Sequence, residues 1–350
     1  MTSSELLHIR LYNQLLLDHD LKEVSEVVSR MGAMQSQSLD LAKWATGVRL
    51  KNKTVADINE SLNKGEIIRT HILRPTWHFV SAEDIHWMFD LSNPRLKPIY
   101  QSYCKTLSAN ETLIYRAIPI VEKALSNGKH LTKQEIGDVL NTYDIKVDAR
   151  HLTLIISYAE MEGILCNGQL KGNKQTFTSL EEWVPRTEKL HKDEALARLA
   201  LRYFISHGPA TLNDFTWWSG LTLTESKKAL EMIKSSLVSE SVNGRIFWMR
   251  NDIQIPSAGT DLALLLPPFD EFVVSYKDRS ELIEDTHYSK VMTKNGLFSP
   301  TVMLNGRIVG SWKKEIKKGK LKVELSFFEK TPKKAQKIFK PEIKRVEDFY

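Results

Sequence analysis

Apolar residues recur at helical spacing through most of the first 250 positions. Leu7, Leu11 and Leu15 share one face of Leu6–Leu17, and a second amphipathic helix is predicted over Leu21–Met31. Further helices are expected over Leu39–Leu50 and Val55–Asn63, ended by Gly65. Two short β-like runs follow, Ile67–Ile72 and Trp77–Val80, with Arg74-Pro75 between them. Helices followed by a small hairpin are the layout of a winged helix-turn-helix.

That layout recurs. Leu113–Ser126 reads as a helix, Thr132-Lys-Gln-Glu135 is a capping-box signature for a second ending near Leu140, and Asp148–Glu162 makes a third. Gly163–Gly168 and Gln175–Thr178 supply the next wing. A third copy starts at Ala195, runs through Thr211–Trp218 to a turn at Gly220, and has a capping box at Thr222-Leu-Thr-Glu225 before a helix over Ser226–Leu237. It closes with strands Leu237–Val242 and Arg245–Met249 around Asn243-Gly244. Trp217 and Trp218 read as core. After Pro256 the pattern shifts to β: Leu262–Leu266, Phe272–Tyr276, Thr301–Leu304 and Arg307–Trp312 around Asn305-Gly306, then Leu321–Phe327. Pro341–Tyr350 reads as a helical or loose tail. The expected fold class is therefore α+β: tandem winged helix-turn-helix units at 1–108, 109–190 and 191–256, followed by a C-terminal antiparallel β-barrel-like module at 257–350, a small barrel or curled sheet.

One stretch departs from the helical rhythm. In Met31-Gly-Ala-Met-Gln-Ser-Gln-Ser-Leu39 two amides stand one residue apart. On a continued helix Gln35 and Gln37 would lie roughly 200° apart, whereas residues two apart in an extended backbone share a face. A paired amide site thus requires the helix to stop, and Gly32 is the expected stop because glycine tolerates the left-handed cap conformation.

Composition narrows the class. With 42% hydrophobic and 26% charged residues the chain is globular, no run of 18 apolar residues exists, and Met1–Arg10 lacks the features of a signal peptide. The expectation is a cytoplasmic protein with no membrane association. Cys104 and Cys166 stand 62 residues apart without zinc-ligand spacing, so two buried thiols are expected and no metal or cofactor. The net charge of +6 conceals an asymmetry: Lys313–Arg345 carries 13 Lys or Arg against 4 Glu, a local +9, and the other 317 residues total −3. Such a segment suits a polyanion and equally a solvated lysine-rich face.

Gly-x-Ser-x-Gly, Gly-x-x-x-x-Gly-Lys, Gly-x-Gly-x-x-Gly and His-Glu-x-x-His are all missing. Arg69, His71, Arg74, Trp77 and His78 on the first wing mix cationic and aromatic groups as nucleic-acid surfaces do, although alternation sends some of them inward. Asp270, Glu271 and Asp278 beside Pro267-Pro268 read as structural hydrogen-bonding groups. Judged by composition, Gln35 and Gln37, in a turn, are surface or capping residues. Judged by chemistry, an amide takes no proton near neutrality but holds a water through its oxygen and donates from its nitrogen. It helps only where the leaving group is already activated and developing charge needs fixed dipoles. Loss of a cationic N-alkylated purine from deoxyribose is such a reaction.

The chain resembles the AlkZ-like winged-helix DNA glycosylases, bacterial enzymes with tandem winged-helix units and a C-terminal β-barrel that excise alkylated purines, some unhooking interstrand crosslinks. The resemblance is carried by Gln35-Ser36-Gln37, Arg69–Val80, Gly208–Gly220, Leu266–Phe272 and Tyr276–Ser280. It implies that Gln35 and Gln37 are the catalytic pair, with Ser36 standing where that family has an apolar residue. The reading is a monofunctional DNA glycosylase, monomeric, acting on double-stranded DNA with alkylated purines, with Arg69, His71, Arg74, His78, Lys313 and Lys314 as DNA contacts. The alternatives are a non-catalytic winged-helix DNA-binding protein or regulator, and a structural interaction array.

Overall fold

The computed structural model describes residues 1–106, 111–186, 189–251, 261–317, 320–330 and 333–350. The chain divides into two compact units, one formed by Met1–Ile58 with Leu196–Tyr350 and the other by Asn59–Ala195. The expected boundaries at 108/109 and 256/257 fall outside the described residues.

The first unit begins with helix α1 (Ser3–Asn13). The Thr2 hydroxyl accepts the Glu5 N–H while the Glu5 carboxylate returns to the Thr2 amide, and this box starts the helix ahead of the apolar stripe. Helix α2 (Val24–Met31) stops at Gly32, which has φ 80° and ψ −62°. The positive φ is as expected, but ψ lies outside the left-handed helical region, so the chain leaves α2 as an extended segment. Strand β1 (Met34–Gln35) and helices α3 (Leu39–Gly47) and α4 (Val55–Asn63) follow.

In the second unit, β2 (Ile67–His71) and β3 (Trp77–Ser81) form an antiparallel hairpin with Thr70 opposite His78. The next helix, α5 (Ile85–Thr106), lies where no element is expected and carries Pro94 and Pro98 in its interior. Buried Leu91, Leu96 and Tyr100 hold it against its neighbours. Then come α6 (Glu111–Leu125), β4 (Leu131–Thr132), α7 (Lys133–Thr142), α8 (Ala149–Met161), β5 (Leu165–Asn167), β6 (Thr176–Ser179) and α9 (Leu180–Trp183). The Thr132–Glu135 capping box forms as predicted, and Asp148 caps α8. Val121, Leu125, Ile136, Leu140 and Ile155 meet in one core. Burying each such side chain contributes about 1.5–3 kcal/mol. Strands β4, β6 and β5 form a small antiparallel sheet. Cys104 and Cys166 are both buried and free.

The first unit resumes with α10 (Lys192–His207), α11 (Leu212–Ser219), α12 (Leu223–Ile233) and the hairpin β7 (Leu237–Val242)–β8 (Arg245–Arg250). Its turn places Asn243 and Gly244 at φ 50° and 73°, the mirror-image turn that the Asn-Gly pair favours. Trp218 is fully buried, but Trp217 is 43% exposed, since consecutive helical residues point about 100° apart. The remaining elements are β9 (Ala263–Leu266), α13 (Glu271–Val274), α14 (Tyr288–Val291), β10 (Thr301–Leu304), β11 (Arg307–Lys317), β12 (Lys320–Phe327), α15 (Lys333–Ile338) and α16 (Lys340–Phe349).

Two expectations need correction here. The β module is an open four-stranded antiparallel sheet, ordered β12-β11-β10-β9, rather than a closed barrel. Four strands of four, four, eleven and eight residues are too few and too unequal to close, and α16 packs against β9 and β12. The run Phe272–Tyr276 is not a strand: its first residues belong to α13, started by the Asp270 carboxylate accepting the Phe272 N–H at 2.9 Å. The fold is thus α+β with small antiparallel sheets. Among the described residues, no helix is long and apolar enough to cross a membrane.

Candidate active site

Because Gly32 turns the chain out of α2, the residues that follow run as a buried extended segment before α3 begins. Ala33 and Met34 are fully buried, Gln35 is 7% exposed and Ser36 is fully buried, whereas Gln37 is exposed. The two amides therefore differ in surroundings: Gln35 lies in β1, and Gln37 occupies the bend just before Ser38, the N-cap of α3. Ser36, between them, is fully buried.

A charged polar network fixes this segment from behind. The backbone N–H of Gln35 donates to Glu271 Oε1 at 2.7 Å. The other oxygen of that carboxylate accepts the Trp218 indole N–H at 3.0 Å and the Ser275 hydroxyl at 2.5 Å, with His207 Nε2 at 3.6 Å. Burial lowers the His207 pKa, which favours a neutral imidazole. Next along the chain, Asp270 receives a bidentate pair from Arg49 at 2.7 and 2.9 Å, both side chains being fully buried. Arg49 also donates to the carbonyls of Gln14 and Ala45. Gln14 in turn donates to Tyr276, whose hydroxyl donates to the His207 carbonyl. Asp278, the third carboxylate of the sequence group, pairs at the surface with Arg245.

The residues expected to contact DNA fall into two sets. Arg69 is 3% exposed, donates to Asn167 and Gln175 at 3.2 and 2.5 Å, and lies over the Trp77 ring at 4.3 Å; burial pushes its pKa down to about 10. His71 is equally buried and holds Glu160 Oε2 at 2.6 Å. His78 is fully buried, its Nδ1 within 2.9 Å of the Thr76 carbonyl. Lys314 has a side chain 16% exposed, pairs with Asp40 at 2.8 Å and sits 3.0 Å from the Tyr350 ring centroid. Each of these four is engaged inside its own unit. Arg74 is half-buried on the turn between β2 and β3. Lys313, on the β11–β12 hairpin, is 65% exposed with a surface partner in Glu324.

As for metals, Glu284, His287 and Glu329 bring ligand atoms within 4.8 Å of one another among the described residues. This mostly exposed group takes no part in the Gln35–Gln37 network.

Residues 28–349 match the family described as DNA glycosylase AlkZ-like. The chain belongs to the AlkZ-like DNA glycosylase family. As a member it is an enzyme, a DNA glycosylase. It is 24% identical over 328 residues to an interstrand DNA cross-link repair glycosylase of Streptomyces sahachiroi, covering 87% of this chain and 85% of that protein. The solved structure of Streptomyces sahachiroi DNA glycosylase AlkZ superposes with a TM-score of 0.79 at 22% identity, covering 99% of this chain and 97% of the other. At that identity the superposition speaks for the fold.

Proposed function

We propose that this AlkZ-like glycosylase is monofunctional and hydrolyses the N-glycosidic bond of cationic N-alkylated purines in double-stranded DNA, with Gln35 and Gln37 acting on the reacting sugar. We read it as a cytoplasmic monomer that needs no metal, and its three helix–hairpin repeats, at 1–108, 109–190 and 191–256, as winged helix-turn-helix units preceding the sheet module at 257–350. The observation that carries the reading is the amide pair on a segment whose backbone is fixed by a buried carboxylate.

The chemistry follows from what an amide offers. In the alkylated base the purine is already cationic, so the C1′–N bond breaks with its electron pair moving onto the base and cancelling that charge. The sugar becomes oxocarbenium-like. The exposed Gln37 is suited to hold the attacking water through its carbonyl oxygen, and the oxygen of Gln35 to face the developing positive charge. Water adds to C1′ and gives its proton to solvent, leaving an abasic sugar. Because the curated relative is named for interstrand crosslink repair, a crosslink through alkylated purines is a second substrate to assay.

Incubation with duplex DNA containing N7-methylguanine, followed by alkaline cleavage of abasic sites, tests the reading. Strand cleavage well above the no-protein blank is expected. Product equal to the blank for both this lesion and a crosslink would rule out cationic alkylpurines as the substrate class.

For DNA contact the exposed members are the better choices. Lys313→Ala is expected to weaken DNA binding on all sequences and to reduce the salt slope by about 1. Lys314→Ala should leave that slope unchanged and lower the thermal midpoint, because its ammonium is spent on Asp40 and Tyr350. Fluorescence anisotropy titrations at several salt concentrations, with thermal melts of both variants, separate the two roles.

A further inference from the structure

Strand β1 is only two residues long, and its Gln35 N–H donates to a carboxylate 236 residues away in sequence. A buried carboxylate is costly to desolvate unless its lone pairs are filled. Here they are filled by three donors: the Gln35 N–H, the Trp218 indole and the Ser275 hydroxyl, with Glu271 itself 1% exposed.

The platform that carries Glu271 is held on several sides. Asp270 caps α13 and receives Arg49, Trp217 donates to the Val274 carbonyl at 2.9 Å, and Tyr203 donates to the Ser275 carbonyl at 3.0 Å. The Glu271 carboxylate is therefore a fixed point, and hydrogen bonds to an ionised acceptor are about twice as strong as neutral ones. An amide that must meet a transition state within a fraction of an ångström gains most from such a support.

We infer that Glu271 is a positioning residue for the glycosylase reaction: its buried charge holds the backbone of Gln35, and so aims the Gln35-Ser36-Gln37 segment, without touching DNA. This rests on the reading of Gln35 and Gln37 as the reacting-site amides. It assigns the Leu266–Phe272 stretch a part in catalysis through the main chain rather than through a side chain facing the lesion.

Glu271→Gln is nearly isosteric, keeps an acceptor for the Gln35 N–H and removes the charge. Three readouts are needed on the full chain: the single-turnover rate on N7-methylguanine duplex, the dissociation constant for the same duplex, and hydrogen–deuterium exchange of the peptide containing Gln35. The expected result is a 10- to 100-fold slower excision, a dissociation constant within 3-fold of wild type, and exchange at Gln35 accelerated at least 10-fold more than across the rest of the unit. The thermal midpoint should fall, because the amide nitrogen cannot accept from the donors that fill the carboxylate. Ser275→Ala removes a different donor from the same carboxylate and should alter the rate by less than 3-fold.

Unchanged exchange at Gln35 in Glu271→Gln would overturn the inference, as would faster local exchange with an unaltered excision rate. A uniform rise in exchange over the whole unit would make Glu271 a stabilising residue only, and likewise overturn it. If wild type shows no excision, the glycosylase reading of the two amides falls. The exchange result then still decides whether Glu271 tethers the segment.

Discussion

Replacing Gln35 and Gln37 together by alanine is expected to slow excision of N7-methylguanine by about 10²–10³-fold, the range seen when preorganised transition-state donors are removed. The dissociation constant for lesion DNA should stay within a few-fold of wild type, since neither amide carries charge toward phosphate. Single-turnover assays with enzyme in excess measure the first quantity, and anisotropy titration the second. The single substitutions should not add, because two groups that act on one water and one sugar form a unit. Gln37→Ala is expected to account for most of the loss, because Gln37 is the exposed member of the pair. The same chemistry predicts a nearly flat rate between pH 6 and 9, since an amide has no proton to gain or lose there. A bell-shaped profile would point to a carboxylate or imidazole as acid or base, and would sink the amide mechanism.

The largest stability effect is expected at Asp270. Its partner Arg49 is fully buried and spends its donors on both carboxylate oxygens and on the Gln14 and Ala45 carbonyls. Asp270→Asn leaves that guanidinium charge uncompensated in the interior. Removing one partner of a buried pair costs about 3–5 kcal/mol, which for a unit of this size lowers the melting midpoint on the order of 10 °C. Arg49→Met combined with Asp270→Leu should recover most of that loss, because two apolar side chains leave no charge stranded. Differential scanning calorimetry of the single and double variants measures both. A double variant no more stable than Asp270→Asn would show that the network contributes through its other hydrogen bonds instead.

Much of this was legible where the signal is local. The capping boxes at Thr132 and Thr222, the Asn243-Gly244 and Asn305-Gly306 turns and the stop at Gly32 each depend on a few adjacent residues, and each forms. Signals that conflict locally were misread. Helix α5 holds two prolines, which disfavour a helix interior, and the apolar run after Glu271 has no period to separate strand from helix.

At the site the limit is of another kind. Gln35 and Gln37 stood out by their spacing, but nothing near them in sequence announces that Gln35 is buried or that Glu271 holds its amide. In the same way, Arg69 and His71 look like a DNA-facing wing until their partners appear, Asn167 and Glu160, 98 and 89 residues further on. A cation on a strand shows its charge in the sequence, but the carboxylate or amide that consumes it lies on another element.

The interleaved composition of the first unit also bears on how the protein is made. Residues 1–58 leave the ribosome first, yet they are completed only by residues from 196 onward. At about 5–20 residues per second, the Gln35 amide waits roughly 12–47 s for the carboxylate that anchors it, 236 positions later. During that interval a segment rich in buried residues is without its final partners, while Asn59–Ala195 can already close on itself. An aborted chain ending before Glu271 would carry Gln35 without the carboxylate that its amide meets in the full-length fold.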